Sequence, residues 1–502
     1  MKYFNKKTSL IVFFFIFVVF CYLRLKPIYF QTVPYTYDQG RDFLKIEEMV
    51  RYKIPTLIGP TTGIMGIFHG VWWYYFLSIP YLLFNGNPSG FVFFIFFMSA
   101  AQVFLFYFYL KKKMGSVPSF IFLLLVTNSS YFIFTSFFVT SSVLVMPFLL
   151  LLLYATYQFF DTQKKRYQFL IFLSLGFIFE AELSFGVFII PSYLLTIIAT
   201  KQIVKFFSKK SYILYSFVAL ILPILPRIFF EMRHNFIQTR TALTFFLKPH
   251  FFIQKSFDSI FFDRVNLFFN YYKSLVFDNS LFAMIFLFIT VLGFFYGFKK
   301  LKHLHKKYLF FVTLFTIFLF LISFLYKDNF WAHYYEGFPL FYLVIISISF
   351  YAASQSRVKM IKYIPIVVMG IFLVMTGYKM YKALMNTTQT ANIDLRAHIN
   401  VLNYLYAQNK NQPFCVRIYT PPVIPYTYNY LFNYYQRVKK YPAVSTEYVN
   451  HKCWYIVEQE QDSDGYKARI TQWRSENISS KARLVRTKIM DSGTQVEHWE
   501  EK

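Results

Sequence analysis

Six residues near the start of the chain, Tyr37-Asp38-Gln39-Gly40-Arg41-Asp42, place two carboxylates and a guanidinium within two helical turns of one another. If a helix starts here, with Asp38 as its cap, then Asp38, Arg41, Asp42, Lys45 and Glu48 follow i+3 and i+4 spacing along one side. A carboxylate beside an apolar wall can act as a general base. A neighbouring arginine holds it ionised or grips an anion. The same spacing also fits a solvated amphipathic helix lying on a membrane surface.

Three further clusters carry polar groups suited to chemistry. His69-Gly70 precedes an aromatic run. Pro226 to Phe236 contains Glu231, Arg233 and His234, which also fit a snorkelling cluster at a membrane interface. Trp331-Ala332-His333-Tyr334-Tyr335-Glu336 supplies His333 and Tyr334, or alternatively an aromatic belt around a satisfied histidine. Glu180 and Glu182 fall where two apolar segments meet. Acids at such a depth are costly, so they are expected to face a cavity or a structural ion partner.

The elements that must position these groups are membrane helices. The chain of 502 residues is 56% hydrophobic, too apolar for an ordinary soluble domain, and several runs approach the ~20 residues that cross a bilayer. Its net charge of +28 sits in short clusters between apolar runs, the pattern of positive-inside topology and not of a nucleic-acid surface. Spans are expected near 8–25, 90–110, 117–135, 138–160, 167–181, 183–200, 211–230, 279–298, 308–326, 336–353 and 361–381. These eleven put Lys111-Lys112-Lys113, Lys164-Lys165-Arg166, Lys201 to Lys210, Lys299 to Lys307 and Arg357 on one side. The N-terminus is then cytoplasmic. The loops 27–89 and 231–277 and the C-terminus are extracytoplasmic. Val71 to Phe84 is apolar but about fourteen residues long, so it is read as an interfacial or dipping helix.

Residues 1–382 therefore form an all-α polytopic bundle, and 383–502 a small extracytoplasmic α/β domain. In the latter, Asn392 to Asn409 has helical periodicity, with Ile393, Ile399, Leu402 and Leu405 as its stripe. Phe414–Tyr419, Trp454–Val457 and Leu484–Ile489 read as strands. Cys415 and Cys453 can pair in an oxidising compartment, but two ordinary buried thiols are the expectation. Tyr419, Tyr426, Tyr428 and Tyr430 can stack on sugars or simply pack.

Asp38-Gln39-Gly40-Arg41, then Glu48-Met49, Pro55, Gly59-Pro60 and His69-Gly70 before aromatics, resembles the first outer loop of the GT-C membrane glycosyltransferases. Within them it is most similar to family 39, the protein mannosyltransferase and lipid A aminoarabinose transferase group. Pro226 to Phe236 and the His333-Tyr334 pair resemble later stretches of the same group. Two departures stand out. Gln39 replaces a second acid, and Gly70-Val71 replaces two prolines. A divalent metal is conceivable but not indicated, because the paired acids that would hold it are reduced to one.

The resemblance implies transfer of a sugar from a polyprenyl-phosphate donor to a glycan, lipid or protein acceptor, beside membrane lipid and without nucleic acid. Asp38 would be the base and the anomeric centre would invert. Arg41, His69, Arg233 and His234 would hold the donor phosphate, with Asp42, Glu48, Glu182, Glu231, His333 and Tyr334 as further site candidates. A transporter or flippase of lipid-linked or small substrates is the main competing class. It would be expected to carry ionisable groups near the bilayer midplane.

Overall fold

In the computed structural model, the described residues are 6–247, 255–326, 330–386, 391, 393–410, 412–421, 424–459 and 463–501. Residues 248–254, in the middle of the expected outer loop 231–277, lie outside them. The first half of the chain folds into α1 (Lys6–Tyr29), α2 (Tyr37–Arg51), α3 (Trp72–Leu83), α4 (Pro88–Met114), α5 (Ser116–Asn128), α6 (Ser130–Thr135), α7 (Val145–Thr162), α8 (Lys165–Ala181), α9 (Leu183–Ala199), α10 (Ile203–Phe206) and α11 (Lys210–Ile221). There follow α12 (Leu225–Arg233), α13 (Ile237–Leu247), α14 (Phe257–Val276), α15 (Ser280–Phe298), α16 (His303–Ile322), α17 (Pro339–Ser354) and α18 (Lys359–Met385).

Each of the eleven expected segments falls on a helix. Among the described residues, seven helical stretches are long and apolar enough to cross a membrane. Those at Ser116–Asn128, Leu183–Ala199 and Pro339–Ser354 are apolar but shorter. Helix starts follow local chemistry. Asn87 accepts from the Ser89 amide, with Pro88 in the first turn of α4, and Asn279 accepts from the Leu281 and Phe282 amides at α15. At the centre lies α5, where Pro118 to Asn128 are all buried. It packs against α4, α17 and α18. Helix α3, with 12 residues, extends about 18 Å at 1.5 Å per residue, well short of a ~30 Å hydrocarbon core. The described residues of the segment 231–277 are themselves largely helical, as α13 and α14.

The C-terminal domain contains α19 (Leu395–Gln408), β1 (Phe414–Tyr419), α20 (Tyr426–Val438), β2 (Val444–Ser445), β3 (Lys452–Val457), α21 (Ser463–Asn477), β4 (Ala482–Ile489) and β5 (Gln495–Glu501). The sheet order is β2-β1-β3-β5-β4. The first three strands are parallel, and β5 is antiparallel to both β3 and β4. Leu402 and Leu405 are buried on α19 as expected. Ile393 is not part of that stripe; it lies before the helix and is exposed. The expectation of two free thiols is overturned: Cys415 and Cys453 are disulfide-bonded across the neighbouring strands β1 and β3, with Cα atoms 4.5 Å apart.

This domain is not a loose appendage. The Leu395 and Arg396 amides donate to the Val33 and Gln31 carbonyls, and the Tyr35 amide donates to the Ile393 carbonyl. Helix α20 lies directly on α2. A Cβ at Gly40 would sit 2.5 Å from the Thr427 nitrogen and the Tyr426 carbonyl carbon, so only glycine allows this approach. Arg437 of α20 reaches buried Glu47 of α2 at 2.9 Å and the Asn85 side chain at 2.7 Å.

Candidate active site

The first turn of α2 organises the site. Its cap is Thr36, not Asp38 as expected from sequence: the Thr36 amide donates to the Gln39 side-chain oxygen at 2.9 Å, as in a capping box. Gln39 is thereby buried and committed to backbone. Asp38 is left at the second helical position with a largely exposed carboxylate, 2.9 Å from the Arg41 Nη1.

Arg41 bridges two acids of different character. Its Nη2 lies 2.9 Å from Asp42 Oδ1, and its Nη1 also reaches the Thr61 hydroxyl at 3.4 Å. Asp42 is buried. Trp73 Nε1 donates to its Oδ2 at 2.8 Å, and the Tyr74 hydroxyl reaches Oδ1 at 3.5 Å. Burial pushes its pKa up to about 6, against the pull of Arg41. Asp42 thus anchors Arg41 and ties α2 to α3, while Asp38 faces the open side.

His69 belongs to a tight hairpin. Its amide donates to the Pro60 carbonyl at 2.8 Å, and its carbonyl accepts from Gly59 at 2.9 Å. The following Gly70 amide donates to the Glu180 carbonyl, and a Cβ at Gly70 would collide with Glu180, which accounts for a glycine here in place of proline. Burial, with Arg227, Arg41 and then His333 adding to it, drives the imidazole pKa down to about 3, so the ring is neutral.

Arg227 is the group that sequence reasoning passed over. It pairs with buried Glu180 at 2.7 Å, and its Nη1 donates to the Phe68 carbonyl and the Gln238 side chain at 2.9 and 2.7 Å. Its Nη2 and the His69 Nδ1 are both buried and bonded to nothing among the described residues. The hairpin 59–70 therefore carries Arg41 on one strand, at Thr61, and Arg227 on the other, at Phe68.

The remaining candidates divide. Arg233 and His234 are exposed at the end of α12, with His234 stacked on Phe230 at 4.0 Å, and neither joins the Arg41–His69–Arg227 group. The Glu231 carboxylate is taken up by the Gln238 and Thr239 amides, at 3.0 and 2.9 Å. Glu48 pairs with Lys45 at 3.0 Å on the surface, and its neighbour Glu47 is the buried acid. Glu182 caps α9, with the Ser184 hydroxyl on its carboxylate and Glu336 within electrostatic range. Glu336 in turn accepts from Tyr131. His333 stands in a short turn, exposed at the surface and within electrostatic range of Asp38. Tyr334 packs edge-on to His333 and Phe330. Among the described residues, no group of three or more His, Cys, Asp or Glu is disposed to hold a metal.

The family model for dolichyl-phosphate-mannose-protein mannosyltransferase matches residues 69–229, from His69 to just past Arg227. The whole chain superposes on ArnT from Cupriavidus metallidurans in its apo state, with a TM-score of 0.59, 10% identity and 98% of each chain covered. The chain thus resembles the mannosyltransferase family model over residues 69–229 and shares the ArnT fold over nearly its whole length. That shared fold covers the C-terminal domain too. A second ArnT structure, bound to undecaprenyl phosphate, aligns over 97% of each chain with a TM-score of 0.55 and 9% identity. No curated protein sequence matches the chain. With this ArnT-like fold, the multi-pass membrane bundle and small C-terminal sheet domain read from the sequence stand.

Proposed function

We propose that this protein is a GT-C membrane glycosyltransferase that moves a sugar from a polyprenyl-phosphate donor to an acceptor hydroxyl on the extracytoplasmic face. The observation that carries the reading is the pairing of an open carboxylate, Asp38, with a half-buried group of phosphate-binding character formed by Arg41, Arg227 and neutral His69.

Asp38 accepts the proton of the acceptor hydroxyl. The oxygen attacks the anomeric carbon, the bond to the lipid phosphate breaks, and the phosphate leaves with the electron pair. Direct displacement inverts the anomeric centre. Arg41 and Arg227 meet the charge that grows on the leaving phosphate, and His69 contributes a ring N–H. Arg227 thus takes the role that the sequence suggested for Arg233 and His234. Asp42 sets the position of Arg41. Two features support the accessory parts of the reading. Apolar side chains of α3, α4, α5 and α7, among them Phe76, Ile95, Val103, Phe122, Val126 and Leu150, gather around a small cleft one turn along α3 from Trp73 and offer a wall for a prenyl chain to lie against. The Cys415–Cys453 disulfide suits an oxidising, extracytoplasmic location for the domain that covers α2. The ArnT structure bound to undecaprenyl phosphate supplies the precedent for the lipid class.

Mass spectrometry of polyprenyl-linked sugars in cells carrying the wild-type chain or Asp38→Ala, at matched membrane levels, tests this. One lipid-phosphate sugar is expected to accumulate in the variant. Identical lipid pools would overturn the reading and bring the transporter class forward.

A further inference from the structure

The tyrosines of the C-terminal domain fall into two sets. Tyr419, Tyr428 and Tyr430 are 3%, 1% and 0% exposed and serve the core. Tyr426, the first residue of α20, is half-buried instead. Its ring lies 4.8 Å from that of Tyr37, the first residue of α2, at an interplanar angle of 56°. Tyr37 immediately precedes Asp38, and its phenol lies within electrostatic range of both Asp38 and Arg41. The pair is held in place by backbone. The Gly40 contact with Tyr426 and Thr427 fixes α20 against α2, and the Tyr35 hydroxyl donates to the Thr427 carbonyl at 3.2 Å.

We propose that Tyr37 and Tyr426 together form a pyranose-binding wall beside Asp38, so that the acceptor subsite is shared between the first outer loop and the C-terminal domain. The chemistry favours a sugar over a plain apolar group. A pyranose presents an apolar C–H face ringed by hydroxyls. Two tilted phenol rings give that face a surface to lie on, and their hydroxyls, with the Asp38 carboxylate and the Arg41 guanidinium, offer both donors and acceptors at its rim. A pyranose stacked there brings a ring hydroxyl to the carboxylate that would deprotonate it. Calling the site an acceptor subsite rests on the transferase reading; the binding of a sugar there does not.

Methyl α- and β-hexopyranosides and pentopyranosides are the probes, offered to the full chain in nanodiscs and read by saturation-transfer NMR. At least one is expected to show transfer to the C–H protons of one ring face. Tyr426→Leu keeps apolar bulk without an aromatic face and is expected to lower the signal roughly two- to tenfold, as is Tyr37→Leu. Tyr426→Phe is expected to retain most of it. Asp38→Asn removes turnover but leaves the wall, so binding is expected to persist in it. Absence of transfer in the wild type, or undiminished transfer in both leucine variants, overturns the proposal. Binding lost in the leucine variants while the lipid pools of Asp38→Ala and wild-type cells stay identical would instead defeat the transferase reading and leave the sugar site standing.

Discussion

Removing Arg437 tests whether the C-terminal domain holds α2 in place. The Arg437 guanidinium bonds Glu47 Oε1 at 2.9 Å, Asn85 Oδ1 at 2.7 Å and the Asn85 carbonyl at 3.1 Å. Among the described residues, Arg437→Ala leaves the nearly inaccessible Glu47 carboxylate with only Arg51, at 3.3 Å, as a charged partner. Stripping a buried carboxylate of its whole counter-charge costs about 3–5 kcal/mol. Arg51 remains and Arg437 is partly solvated, so the cost here is about 2 kcal/mol, roughly a 30-fold change in the docking equilibrium. Glu47→Gln keeps an oxygen for Arg437 and removes the stranded charge. On that background Arg437→Ala should cost about 1 kcal/mol, so the coupling between the two is also about 1 kcal/mol. Hydrogen exchange of the α20 and α2 amides in nanodiscs reads the opening directly. Equal losses on both backgrounds, or less than a twofold loss of protection in Arg437→Ala, would refute the argument.

Arg227→Gln is expected to lower turnover about 100-fold or more, the usual loss when a charge-stabilising donor is removed, whereas Arg233→Ala and His234→Ala stay near wild type in the same donor-consumption assay. Asp42, with its pKa raised to about 6, contributes folding stability that is fully present below its ordinary value near 3.8 and is lost as pH rises through about 6. Its ionised form is the one that holds Arg41, so activity should fall as pH drops through about 6, and Asp42→Asn should abolish that limb in a pH–rate profile. Breaking the Cys415–Cys453 link, which closes a span of 38 residues, should cost the C-terminal domain about 3–4 kcal/mol, seen as a lower denaturant midpoint for Cys453→Ser and as sensitivity of the wild type to reductant. Gly40→Ala gains about 1 kcal/mol of helix propensity but meets backbone at 2.5 Å, where the overpacking cost of about 1–3 kcal/mol prevails, so α20 protection should fall; unchanged exchange would show that the two helices can part freely.

The bundle was legible because membrane helices advertise themselves by length and apolarity, and each apolar run became a helix. Strands β1, β3 and β4 showed in their alternating or β-branched residues. Strand β5, Gln495-Val496-Glu497-His498-Trp499-Glu500-Glu501, did not, since its charged residues resemble a solvated tail until β3 and β4 flank it. Helix α20 was hidden by its tyrosines and asparagines, poor helix formers that become helical here by packing on α2. Site legibility failed at the scale of helix faces. Arg227 and Arg233 are six residues apart, about 240° around α12, so the stretch that drew notice for its charged end carried its inward-facing arginine at the other. Glu47 and Glu48 differ by about 100° in the same way, and only a fold could tell which is buried. The Thr36–Gln39 box was readable in principle, as a threonine followed three residues later by a glutamine before an amphipathic run.

The contact between α2 and α20 also sets an order of events during synthesis. Tyr37 to Arg51 leave the ribosome early, and the helix that covers them follows almost four hundred residues later. At about 5–20 residues per second this is a wait of roughly 20–80 s. Throughout that interval the first loop is already made, but Gly40 is uncovered and Glu47 lacks Arg437. A chain cut short after α18 would retain the bundle helices and still lack the lock on its first loop. Maturation of this protein is therefore a closing of the two ends of the chain on each other, and its activity should report on complete translation and on oxidation of the final domain.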